Sequence, residues 1–96
     1  MDNDLINQMK NYMMGKLNSA TNDPEWLNKY SKNAPSKNYT WSDLEALHAS
    51  MDGDYLWICS YTRLGEIAIR MDFTFHIDTL DEETIDYWLN FDLKGE

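Results

Sequence analysis

Residues 66–77 constrain the fold of this chain more than any other segment. Ile67, Ile69, Met71, Phe73, Phe75 and Ile77 alternate with Ala68, Arg70, Asp72, Thr74 and His76. A period of two puts the apolar side chains on one face and the polar ones on the other, the pattern of a half-buried β-strand. Such a strand needs a hydrogen-bonded neighbour and a second layer over its apolar face. Residues 55–61, rich in aromatic and β-branched types, are the natural neighbour. Arg63-Leu64-Gly65 reads as a three-residue hairpin loop with glycine last. That register pairs Thr62 with Glu66. It then sets Tyr61, Cys59, Trp57 and Tyr55 opposite Ile67, Ile69, Met71 and Phe73, so apolar meets apolar throughout.

The flanking segments read as helices. Leu5, Met9, Tyr12, Met13 and Leu17 recur at helical spacing over 3–18. Asp23-Pro24-Glu25 is a helix start, and a short helix is expected from there to about residue 32. Ala34-Pro35 stops it, and a polar connector follows over 36–39. Ser42-Asp43-Leu44-Glu45 matches a capping box, predicting a third helix over 43–51 that ends at Asp52-Gly53. Thr79 can cap a last helix over 80–92, with Leu80, Ile85, Tyr87, Trp88, Leu89 and Phe91 on a broad apolar face. The expected fold is therefore α+β: three N-terminal helices, an antiparallel hairpin (about 54–62 and 66–77) and a C-terminal helix. The 96 residues suit one small domain, 1–96.

A two-stranded sheet is marginal alone. In this register Leu56 and Ile58 lie on the uncovered side of their strand, and Tyr39 and Trp41 are not absorbed by any core face. These four residues are the expected apolar interface. The sheet is expected to gain a neighbour, either segment 37–41 or the same strand of a second copy, which points to a homodimer.

Charge narrows the function. The chain carries 17 acidic and 8 basic side chains, a net of −9. Residues 1–40 are near neutral, and 41–96 hold 13 of the acids with only Arg63, Arg70 and Lys94 against them. Such a field repels nucleic acid and membrane surfaces and attracts cationic partners. No apolar run approaches the roughly 18 residues of a membrane span. The start has no basic region followed by an apolar stretch, so no signal peptide is expected and the cytoplasm is the expected compartment. Cys59 is the only cysteine, which excludes an internal disulfide and a multi-cysteine zinc site.

The short catalytic signatures are absent: no phosphate loop, no G-x-G-x-x-G, no G-x-S-x-G, no H-E-x-x-H and no C-x-x-C. No enzyme activity and no cofactor or metal are expected. His76 and Asp78 form an H-x-D pair which, with His48, could give a metal two nitrogens and an oxygen. Placement on a polar strand face and on a half-buried helix explains the same histidines without a metal. Asp52-Gly53-Asp54 fails as a calcium loop, since the fifth and twelfth positions would be Leu56 and Arg63.

What remains is the acidic set Asp52, Asp54, Asp72, Asp78, Asp81, Glu82, Glu83, Asp86 and Asp92, the expected partner-binding residues. Helix N-termini account for Asp81, Glu82 and Glu83 in part, but not for Asp72, Asp86 or Asp92. In size and charge the chain resembles the small acidic DNA-mimic inhibitors that phages and plasmids direct against restriction and CRISPR systems, a class with no common fold. The Asn, Lys, Ile, Tyr and Met content fits AT-rich coding, as in a bacterial virus. That resemblance implies a non-catalytic inhibitor occupying the cationic nucleic-acid channel of a partner protein. The alternatives are an immunity or assembly module docking through the apolar strand face, and a small metal-dependent enzyme using His48, His76 and Asp78.

Overall fold

The computed structural model describes residues 3–34 and 38–93; Pro35 and part of the 36–39 connector lie outside them. Helix α1 runs Asn3–Thr21 and helix α2 runs Pro24–Tyr30. Asp23 caps α2, its carboxylate accepting from the Glu25 N–H at 2.9 Å, with proline in the first turn where its missing N–H costs nothing. A single 3-10 turn follows at Trp41–Asp43. The rest of the chain is an antiparallel meander in the order β1 (Ala46–Asp52), β2 (Tyr55–Leu64), β3 (Ile67–His76) and β4 (Asp86–Leu93).

Two of the expected helices are strands. Over 43–51, Thr40 rather than Ser42 opens the turn, its N–H donating to Asp43 Oδ2 at 2.8 Å, and Leu44 is already extended. Residues 46–52 then pair along the edge of β2, from Ala46 opposite Tyr61 to Asp52 opposite Tyr55. The apolar residues there fit a helical stripe and a strand alternation equally well. Pairing with a strand two residues away supplies hydrogen bonds that an isolated short helix would have to make without tertiary support. The C-terminal helix over 80–92 is replaced by a turn-rich connection and β4. Tyr87, Leu89, Phe91 and Leu93 alternate with Asp86, Trp88, Asn90 and Asp92, and the aromatic types favour the strand.

The hairpin register also differs. Gly65 and Glu66 form a two-residue turn, so Leu64 pairs with Ile67, Tyr61 with Arg70 and Trp57 with Thr74. The φ of Gly65 is +67°, while that of Glu66 is not positive, the combination for which a type II′ turn wants glycine first. The shift from the expected pairing is odd in residue number, so it exchanges the two faces of β2. Leu56, Ile58 and Leu64 point to the core, and Tyr55, Trp57 and Tyr61 point away from it. Residues 38–41 add no strand.

The helices cover one face of the sheet. Met9, Met13 and Leu17 of α1 and Trp26 and Tyr30 of α2 pack with Leu56, Leu64, Ile67, Ile69, Met71, Phe73 and Phe75, all buried. Tyr12 meets Phe73, Phe75 and Tyr87 edge-on with ring centres 6.1, 6.0 and 6.4 Å apart. The Tyr30 hydroxyl donates to the Phe91 carbonyl at 3.1 Å, and the Asn18 side chain brackets the Tyr39 backbone with bonds of 2.9 and 2.7 Å. Tyr39 is thereby buried, and Trp41 is half-buried under the Lys10 ammonium, 5.2 Å from its ring centre. The helices do not reach β1, every residue of which is exposed.

The glycines give a test of opposite signs. Gly53 opens the β1–β2 turn at φ +60°, and a Cβ there meets no atom within 4 Å, so only backbone strain opposes it. Gly53→Ala should destabilise by about 1–2 kcal/mol. Gly15 lies inside α1, and a Cβ there also meets nothing within 4 Å. Gly15→Ala should stabilise by about 0.5–1 kcal/mol. Urea denaturation of the two variants checks both signs.

Candidate functional site

The meander brings the β1–β2 turn and the β3–β4 connection to the same end of the sheet, because Asp52 pairs with Tyr55 and Tyr55 with His76. Asp52, Asp54, Asp78, Asp81, Glu82, Glu83 and Asp86 therefore gather there, all exposed. Seven of the nine acidic residues singled out from the sequence converge. Among the described residues none of the seven forms an ion pair. Lys16 of α1 shares a shallow hollow with Glu82, while its ammonium sits over Tyr12 and Tyr87 at 5.2 Å each. The segment is held locally by Asp81, whose carboxylate accepts from the Glu83 N–H at 3.2 Å and whose carbonyl accepts from the Thr84 hydroxyl at 2.9 Å.

The other two acids lie elsewhere. Asp72 sits mid-strand on the open face of the sheet and takes both Arg70 Nε and Nη2, at 2.7 and 3.3 Å. Its charge is spent on that guanidinium, and the same bond holds the Arg70 pKa above its ordinary value. Asp92 stands at the far end of β4, opposite Ala68, and accepts from Asn90 at 2.8 Å.

The open face of the sheet is aromatic. Tyr55, Trp57, Tyr61 and Trp88 are 48, 37, 46 and 52% exposed. The Arg70 guanidinium lies over both Tyr61 and Trp88, 5.3 and 5.8 Å from the ring centres. None of these four aromatics was singled out from the sequence. Leu56, Ile58, Tyr39 and Trp41, the residues expected at an apolar interface, are instead buried or half-buried in the core. At the free edge, Leu47 and Met51 of β1 are 39 and 52% exposed.

Cys59 also points to the open face, yet it is only 1% exposed beneath its neighbours. Burial raises its thiol pKa, and the Asp72 carboxylate raises it further. A nucleophilic cysteine needs the opposite environment. In native buffer an aromatic disulfide reagent should label Cys59 at least ~100-fold more slowly than in denaturant, followed by thiolate release.

His48 lies on β1 opposite Cys59 and does not join His76. The third group beside His76 and Asp78 is Asp54, delivered by the β1–β2 turn; one candidate ligand atom from each of the three lies within 4.8 Å of the others. A hollow of about 520 Å³ between α1, α2 and β4 is lined by Lys16, Lys29, Asp23, Glu25, Trp26 and Tyr87 among others, with charges of both signs. No helix among the described residues is long and apolar enough to cross a membrane. No family model matches this chain, nor does any curated protein or solved structure.

Proposed function

We propose that the protein is a non-catalytic binding protein that presents the acidic end of its sheet to a cationic surface on a partner protein, of the kind that otherwise holds nucleic-acid phosphates. The observation that carries this reading is the convergence of seven exposed, unpaired carboxylates at one end of the fold. Fixed negative charges on a rigid hairpin and a short tethered connection compete for Lys and Arg contacts without an ordering penalty in the body of the sheet. An inhibitor of a nuclease, restriction or CRISPR complex, phage-encoded and acting in the host cytoplasm, fits this chemistry. Direct nucleic-acid binding does not, because the field has the wrong sign.

A second reading has its own observation. β1 is exposed along its whole length and carries no lysine, proline or bulge to blunt its edge. A module that gains a strand from a partner, or from a second copy, would use that edge together with Leu47 and Met51.

Affinity capture from the natural host, repeated at high salt and with duplex DNA as competitor, separates the two. Release by both, and loss with the Glu82→Lys, Glu83→Lys, Asp86→Lys triple variant, is the result expected of the acidic end. A partner indifferent to salt, DNA and the triple variant overturns it in favour of the β1 edge.

A further inference from the structure

The geometry points to a divalent transition-metal site formed by Asp54, His76 and Asp78, with a zinc-like ion held by two carboxylate oxygens and one imidazole nitrogen. It shares Asp54 and Asp78 with the acidic end but does not rest on the partner-binding reading.

The three residues come from two segments that are pinned together. The Ile77 N–H donates to the Asp54 carbonyl at 2.9 Å, and the His76 carbonyl accepts from the Thr79 N–H at 3.2 Å. The backbone beneath the cluster is thus set by the sheet and its turn rather than by the side chains. One ligand atom from each residue lies within 4.8 Å of the other two. Tetrahedral ligands about 2.1 Å from zinc sit ~3.4 Å apart. Asp54 and Asp78 are exposed, so a change of side-chain rotamer can bring their oxygens to that spacing.

A second observation concerns the same imidazole. His76 Nδ1 is shielded from solvent and has no hydrogen-bond partner. A ring nitrogen left in that state is uncommon, because desolvating it without a partner is unfavourable. Coordination through Nδ1 would supply the missing partner. Tyr55 packs edge-on against the ring, centres 4.9 Å apart, and restrains its rotation.

The donor set selects the ion. Imidazole with carboxylate suits zinc, copper, iron or nickel, whereas calcium requires six to eight oxygens and magnesium an octahedral oxygen shell. The five further acids at this end of the sheet raise the local concentration of any cation without choosing among them. Three protein ligands leave a coordination position for water.

The test is calorimetric titration of ZnCl2, and separately of CaCl2, into the full chain in a non-coordinating buffer at 0.15 M salt. One zinc per chain is expected, with calcium bound far more weakly. Asp78→Asn and Asp54→Asn change only exposed carboxylates and should each weaken zinc binding about 10–100-fold, as should His76→Ala, while His48→Ala leaves it unchanged. In case His76→Ala disturbs the packing of Tyr55, the ring resonances of His76 in the unaltered protein provide a second readout and should shift with one equivalent of zinc. Zinc uptake that is absent, that matches calcium, or that survives Asp78→Asn with the His76 resonances unmoved overturns the site.

Discussion

Leu56→Asp should unfold the protein, while Trp57→Asp should leave it folded. Leu56 is 8% exposed, sits opposite Phe75 and packs in the core between sheet and helices. Removing it costs about 2–5 kcal/mol in lost burial and cavity, and a carboxylate in its place adds the penalty of a buried, unpaired charge. The total, on the order of 5 kcal/mol, consumes most or all of the stability of a domain this size. Trp57 is 37% exposed on the open face, opposite Thr74. Its replacement forfeits strand preference and cross-strand contact, about 1 kcal/mol. The contrast is diagnostic because the register expected from a three-residue loop reverses the roles, burying Trp57 and exposing Leu56. Far-UV circular dichroism with urea denaturation decides it. A folded Leu56→Asp alongside an unfolded Trp57→Asp would mean that β2 is slipped.

The parts of the fold legible in the sequence were those with a single physical solution. β3 alternates cleanly, and Asp23-Pro24-Glu25 has no use other than to start a helix. β1 and β4 are not legible by periodicity, because each segment carries two patterns at once: Leu44, Leu47 and Met51 fall at helical spacing while Leu47, Ala49 and Met51 alternate, and Ile85, Trp88 and Leu89 fall at helical spacing while Tyr87, Leu89 and Phe91 alternate. The deciding signal was the turn. Gly53-Asp54 and Gly65-Glu66 both put glycine first in a two-residue loop, and a glycine-first pair between two apolar runs is a hairpin signal in its own right. A helix stop at Gly53 excludes β1, and a three-residue loop ending at Gly65 shifts the register; the two-residue turns at both glycines restore both. With strands in place of the helices at 43–51 and 80–92, the strand count rises from two to four and the sheet no longer needs segment 37–41 as a neighbour.

The acidic set was legible as composition but not as a surface. Charges at 52, 54, 78, 81–83 and 86 are spread over 35 residues of chain, and only the meander returns them to one end. The aromatic face was hidden by the register: with Tyr55, Trp57 and Tyr61 assigned to the core, nothing remained to be exposed. Two of the three residues of the candidate metal cluster are legible in the His76–Asp78 spacing. A helix over 43–51 would offer His48 as the third member; with β1 in its place His48 lies opposite Cys59, and Asp54 enters only through the tight turn.

Reversing Glu82, Glu83 and Asp86 to lysine should weaken association with a cationic partner about 100-fold, mostly in the association rate. The three substitutions change the net charge from −9 to −3 and replace three of the seven carboxylates at the acidic end with like charges to the partner. Electrostatic steering contributes roughly 10–1000-fold to such encounters, so losing and partly inverting it falls in the middle of that range. The fold should not be affected, since all three side chains are exposed and surface substitutions of this kind stay within about 0.5 kcal/mol each. Salt gives the internal control. Raising ionic strength from 0.05 to 0.5 M shortens the screening length from about 14 to 4 Å, so the parent protein should lose affinity steeply and the variant hardly at all. Stopped-flow association at several salt concentrations measures both slopes. Parallel slopes, with the variant as fast as the parent, would assign the interaction to the exposed edge of β1 and the aromatic face, where contact area rather than charge sets the affinity.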